Sequence, residues 1–395
     1  MKKKSLFISL TLLTIHSLPA FAAKDFLVSN VTEFRQALAY SGERTVHFNV
    51  PSAAINNPFG FVLYAKDHED FTIENGDITI DGSTAAAPVT LYGARLKIKA
   101  QNVKINNIRV RLGATGFTRH GKDDKDAKNV VRESLLIDNS SHIDIRNCSF
   151  SWGTDETVNI ISSSDVKLVN SIISEPLNEP KDEYGDYIHY EQQAHGYCLL
   201  IVGSEKVLVQ NVVFANCLRR SPSVSPDGSF EKGSVLVANN IVYNYGEHGS
   251  KYNDGSNDGT TTSFTLNTNS YIPGINTSGN AIEADIPRKG SQVKMAAVDN
   301  YVLSKPATVV FTKKKNKGKI SVSDRYRLIY EEGMLIPARD LEKALLGKVG
   351  ATAPYLDMVD SRVISQLKSR TGKIINHEKD LPEYPYLIDA TKNLE

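Results

Sequence analysis

The sequence predicts an all-β chain wound as a right-handed parallel β-helix, with a capping helix near its start and short helices after the solenoid. Two observations predict it. A pattern of apolar, any, apolar, any, Asn recurs six times, as Phe71 with Asn75, Val103 with Asn107, Ile143 with Asn147, Val166 with Asn170, Val207 with Asn211 and Val235 with Asn239. Each copy is followed by a second short apolar run, such as Ile108 to Val110 or Val212 to Phe214. Alternation marks strands, and Asn tolerates the left-handed backbone that a sharp one-residue corner needs, so the unit reads as strand, Asn corner, strand. The second observation is uneven spacing: 23 residues separate Ile143 from Val166, but 41 separate Val166 from Val207. That fits coils of about 20 residues with loops inserted between some of them, stacked so that the Asn side chains form a ladder. A barrel or sandwich also has many short strands, but neither requires Asn at one fixed offset.

The elements follow in order. Lys2 to Lys4, the apolar run Leu6 to Leu18 and the small-residue site Ala20-Phe21-Ala22 read as a signal peptide over residues 1–22. The apolar run is shorter than the roughly 20 residues a bilayer needs and includes His16 and Pro19, so an anchor is disfavoured. The expected product is a secreted or periplasmic chain of residues 23–395 forming one domain. Val31 to Tyr40 reads as an amphipathic helix suited to covering the open solenoid end, where bare strand edges invite aggregation. The solenoid is expected over about residues 45–330, with weak copies at Val293 and at Ile320, where Asp324 takes the corner. Residues 331–395 should hold helices at Ala338 to Leu346 and Asp357 to Ser369, then a proline-containing tail lying back along the second helix.

Composition narrows the function. Of 395 residues 41% are hydrophobic, ample for a core, and the net charge is +1. Removing the three leader lysines leaves 43 basic against 45 acidic residues, near −2, so no basic footprint for nucleic acid exists. No later stretch is long enough to span a membrane, and the chain is expected to act as a monomer. Cys148, Cys198 and Cys217 allow at most one disulfide, and buried, inert thiols are the expectation; without a C-x-x-C pair a structural zinc site is disfavoured. The run Lys313-Lys314-Lys315 with Lys317 reads as a solvated turn. Residues 175–196, rich in acids and tyrosines, read as an exposed insertion framed by His189 and His195.

Several segments in succession carry a family resemblance: SGERTVHFNV (41–50), ITIDGSTAAAPVTLYG (78–93), NVKINNIRVRLG (102–113), NCSFSWGTDETVNI (147–160), HGYCLLIVG (195–203), FANCLRRSPSV (214–224), VANNIVYNYG (237–246) and DMVDSRVISQLKSRTGKII (357–375). The chain resembles the pectate lyases of polysaccharide lyase family one over most of its mature length. The resemblance implies β-elimination of a 4-linked galacturonan, an acidic polysaccharide, with Ca²⁺ assisting. The difficulty of that reaction is a proton beside a carboxylate, whose removal adds negative charge to an anionic group. A hard dication and nearby cationic side chains stabilise the product of that removal.

Carried onto matching positions, the resemblance implies Asp155 and Asn159 as metal ligands with Glu133 on the preceding coil as a third. It implies Arg220 as the catalytic arginine, and His195, Tyr197, Gln192 and Pro222, which follows that arginine, beside the substrate. Alternation supports part of this: with Val158 and Ile160 inward, Asp155, Thr157 and Asn159 face outward, and Glu156 faces away unless the strand starts after it. Neighbouring coils would put Arg220 roughly 10 Å along the sheet from Asp155, room for one uronide unit. The sequence also departs from the family. Ser223 and Ser225 stand where a second arginine is usual, Gln192 or Gln193 where close relatives have lysine, Asn159 in place of an acid and Val131 in place of an aspartate. Arginine is ordinarily protonated, so Arg220 serves either as the base or as a stabiliser of the carbanion. Elimination on another uronide and non-catalytic polysaccharide binding stay open beside pectate cleavage.

Overall fold

A computed structural model describes residues 23–115, 131–182, 185–188, 194–230, 232–255 and 259–392. The expected signal peptide, residues 1–22, lies outside the described residues, as do His189 and Gln192. Among the described residues no helix is long and apolar enough to cross a membrane.

The chain winds as a right-handed parallel β-helix. Its three sheets hold eleven, nine and ten strands, and within each sheet the neighbour of a strand is its counterpart one coil on. Pairing is parallel in every case except the short terminal pair Tyr301–Val302 with Lys305–Pro306. Pairing begins earlier than the expected start at about 45: Lys24–Val28 pairs with Arg44–Phe48, and the two bracket the helix Val31–Ala39. That helix is N-capped by Asn30, which accepts from Glu33 N, and buries Phe34, Ala37 and Leu38. Arg44, 2% exposed, closes it by donating to the carbonyls of Ala37 and Leu38 and, on the next coil, Asn75 and Gly76. A cation at a helix C-terminus satisfies orphan carbonyls and meets the negative end of its dipole.

The corners are where the sequence reading is best tested. Asn107, Asn147, Asn170, Asn211 and Asn239 all have φ between 50° and 59° at the end of a strand in the eleven-stranded sheet. Asn75 does not: Phe71–Ile73 belongs to the nine-stranded sheet, and the equivalent corner of that coil is Gly82, since Asp81 pairs with Asn106. Later coils turn at Thr268 (φ 57°) and Asp299 (φ 51°), while at Asp324 the chain leaves the solenoid in a short 3-10 helix. The expected ladder at the corner is partial, with Asn211 Nδ2 on Asn170 Oδ1 at 2.9 Å. A more continuous one lies a residue later and faces inward: Asn240 donates to Asn269 and Asn269 to Asn300, both at 2.9 Å. Each amide also donates to a backbone carbonyl, so these buried polar groups are satisfied by their own copies on adjacent coils.

After Val322 the chain runs back along the outside. Leu328, Tyr330 and Leu335 cover Val169, Leu208 and Leu236 on the eleven-stranded sheet. The helices Leu341–Leu345 and Met358–Ser369 then bury Leu341, Val363 and Leu367 against Ile172, Val213 and Ile241 of the ten-stranded sheet. The tail forms a further helix, Tyr384–Lys392, which the sequence reading did not include. Under the second helix Arg109 and Arg111 meet Asp357 and Asp360, all four side chains wholly buried. The C-terminal segments thus cover part of the eleven-stranded sheet and part of the ten-stranded sheet. At the far end, the strands Val309–Thr312 and Lys319–Val322 close their sheets, and among the described residues no strand pairs beyond them. Phe311 and Val322 are exposed there, beside Lys313, Lys314, Lys315 and Lys317.

Cys198 and Cys217 form a disulfide, correcting the expectation of three inert thiols, which holds for Cys148 alone. Burial pushes the Cys148 thiol up to about 12. The bridge closes a loop 19 residues long, a constraint on the unfolded chain worth about 3 kcal/mol. The double variant Cys198→Ala/Cys217→Ala should therefore melt several degrees below wild type in a thermal scan. Equal melting temperatures would show that the bridge adds no stability.

Candidate active site

The candidate site lies on the nine-stranded sheet, at strands Leu135–Asp138, Glu156–Ile161, Tyr197–Val202 and Ser223–Ser225, paired in that order. Val158, Ile160, Leu199 and Ile201 fill the core beneath. The turn Gly153 to Asp155 packs so tightly that a Cβ on Gly153 would lie 2.3 Å from the Glu156 carbonyl oxygen. Thr154 Oγ1 accepts from Arg132 N at 2.9 Å and Asp155 N donates to the Arg132 carbonyl, so the turn is fixed to the previous coil.

Around this turn the structure brings together Asp155, Glu156, His195, Tyr197, Arg219 and Arg220. One ligand atom from each of Asp155, Glu156 and His195 lies within 4.8 Å of the others. His195 Nε2 is 2.6 Å from Asp155 Oδ1, and its ring sits 4.0 Å from that of Tyr197. Arg220, with φ 63°, starts two coils away, lays its guanidinium 4.4 Å from the centre of the Tyr197 ring and ion-pairs with Glu156. The space expected for a sugar unit is therefore crossed by the arginine side chain. Burial pushes the Arg220 pKa below the ordinary arginine value, with Asp155 opposing the shift. Arg219 donates to Glu247 at 2.6 Å and to the Tyr197 hydroxyl at 3.1 Å. Pro222 follows directly, joined to Ser221 by a cis peptide.

Glu133 and Asn159 stand apart from this group. Asn159 Nδ2 donates to Glu133 Oε1 at 3.3 Å, and Glu133 Oε2 is 2.7 Å from Arg95, which also binds Asp70. Glu133 is thus neutralised on the preceding coils. The residue that joins Asp155 is Glu156. Strict alternation turns Glu156 away, but it is the first residue of its strand, where the pleat does not yet bind the side chain. Arg219 adjoined the predicted arginine, and Lys251 is the register partner of Ser223, so a cation sits one coil beyond the serines that replaced the second arginine. His248, opposite this segment, is pushed down to about 4, by burial first and then by Lys251, and adds no charge at neutral pH. Glu175 also departs from the reading of an exposed insertion: it is fully buried, and Arg362 of the C-terminal helix holds both its oxygens.

No family model and no curated sequence matches the chain. Solved structures do. A pectate lyase from Bacillus sp. N165, in complex with trigalacturonate, superposes over 83% of this chain and 93% of its own, with TM-score 0.50 and 11% identity. The fold is that of the pectate lyases. A pectate lyase bound to a hexasaccharide matches over 83% and 91% of the two chains at TM-score 0.47 and 12% identity. An alginate lyase from Paenibacillus sp. strain FPU-7 matches over 75% and 99% at TM-score 0.42 and 13% identity. Within that fold, the site described above lies on the nine-stranded sheet.

Proposed function

We propose that the protein is an exported lyase that cleaves an acidic polysaccharide, pectate first among candidates, by β-elimination with a divalent cation. The observation that carries this is the placement of two carboxylates, Asp155 and Glu156, beside a half-buried arginine. The donor set fits a hard dication through the two carboxylates; an imidazole nitrogen is a poor ligand for Ca²⁺, so His195 is assigned to orienting Asp155. When bound, the cation would draw charge from the uronate carboxylate and so acidify the adjacent C5–H. Arg220, its pKa lowered by burial, faces the developing charge as base or stabiliser. As the proton leaves C5, the C4–O bond breaks, the C4=C5 bond forms and the departing oxygen takes a proton from water. The Tyr197 ring offers an apolar face to a sugar, while Arg219 and Lys251 nearby are held by Glu247 and by Glu283.

The test is ultraviolet absorbance of the unsaturated product on polygalacturonate, with Ca²⁺ and then with a chelator. A rise that the chelator abolishes is expected; a rise on alginate alone would move the substrate to another uronide. The second reading is non-catalytic binding of polysaccharide, favoured by the pairing of Asp155 with His195 and Glu156 with Arg220. Absence of product on every uronide would leave that reading.

A further inference from the structure

The proposed chemistry asks Glu156 to do two things. It is to face a dication together with Asp155, yet its carboxylate, 4% exposed, already holds the Arg220 guanidinium. Arg220 reaches Glu156 only by lying across Tyr197, through the space where a sugar would sit. A dication placed between Asp155 and Glu156 would stand within a few ångströms of that guanidinium. In a partly buried site such like charges repel strongly. Both cannot occupy Glu156 at full strength.

We propose that a divalent cation and Arg220 compete for Glu156, so that cation binding releases Arg220 from its resting pair and delivers it to the groove. This rests on the lyase reading but names a device that reading does not require. The ion pair is a latch, closed without the cation and opened by it. Reciprocity is obligatory: by whatever factor the cation weakens the Arg220–Glu156 pair, the pair weakens the cation.

The experiment is calorimetric titration of Ca²⁺ into the exported chain, wild type and variants, each checked by circular dichroism. Removing the competitor in Arg220→Ala, or Arg220→Gln should the first fail to fold, is expected to tighten Ca²⁺ about 10-fold. Arg220→Lys, which keeps a cation over Glu156, should stay within about 3-fold of wild type, and Glu156→Gln should bind at least about 10-fold more weakly. On the wild-type protein, phenylglyoxal labelling of Arg220 followed by mass spectrometry should run about 5-fold faster with Ca²⁺ present. Affinity in Arg220→Ala equal to or below that of wild type overturns the latch, while product formation by wild type still upholds the lyase reading. Failure of every form to bind Ca²⁺ overturns the latch and the cation's role together.

Discussion

Arg220→Ala should lower turnover on polygalacturonate by about 10²- to 10⁴-fold, the range for removing a positioned base or charge stabiliser. The expectation follows from what surrounds the residue. Arg220 is the cation in contact with Glu156 and lies over the Tyr197 ring, and burial draws its pKa down from the ordinary arginine value. Arg219 next to it cannot substitute, because its guanidinium is bound to Glu247 and the Tyr197 hydroxyl. The fold should persist, since each coil of a solenoid depends on its immediate neighbours. Arg220→Lys is the sharper control: it keeps the positive charge but loses the planar fork, and should also be slow if geometry at the proton matters. Initial rates of unsaturated product, with melting temperatures in parallel, check this; a rate within tenfold of wild type would remove Arg220 from the chemistry.

The largest effect on stability is expected at Asp357. Arg111 donates to both of its oxygens at 2.8 Å and Arg109 stands 3.8 Å away, with all three side chains fully buried. Burial alone would raise this carboxyl, but the charges of Arg111 and Arg109 outweigh it and hold Asp357 below the usual carboxylate range. Asp357→Asn leaves two buried arginines with only Asp360 to face them, a loss of about 3–5 kcal/mol. With an unfolding entropy of about 2.1 cal/mol/K per residue, that is a fall in melting temperature of about 5 °C. Asp360→Asn should cost much less, because burial and the Asp357 charge push the Asp360 carboxyl up toward its neutral form. The sign with pH follows: the folded pKa of Asp357 is depressed, so its contribution is present above the ordinary carboxylate value and is lost as pH falls through the lowered one. Thermal scans of both variants decide it; equal losses would mean that the four charges act without distinction.

The fold was legible because its recurring corner needs a residue that accepts positive φ, and Asn107, Asn147, Asn170, Asn211 and Asn239 fill that need visibly. Where Thr268 or Asp299 turns the chain instead, the spelling changes while the positive φ does not, and at Gly82 the φ changes as well, so the pattern thins out. The inward series Asn240, Asn269, Asn300 was harder to read, since a buried amide breaks the apolar alternation and shows its partner only after coils are stacked. At the candidate site, Asp155, His195, Tyr197 and Arg220 were predicted and do meet. Glu156 was set aside because alternation was extended one residue too far, to a strand end. The pairing of Glu133 with Arg95 was hidden because it joins coils 38 residues apart in sequence. Lys251 was hidden likewise: only register, not sequence proximity, sets it beside Ser223.

The two ends of the solenoid differ, one closed by the helix Val31–Ala39 and the other ending in the bare edges of Val309–Thr312 and Lys319–Val322. A bare edge is a docking point: a second molecule presenting its own could meet it end to end, and because the opposite end of each is capped the contact would close as a dimer. Phe311 and Val322 would favour that contact, whereas the lysines at 313–315 and 317 oppose it by putting like charge on both surfaces. Because that repulsion is screened by salt while the apolar attraction is not, the barrier to end-to-end pairing is set by ionic strength.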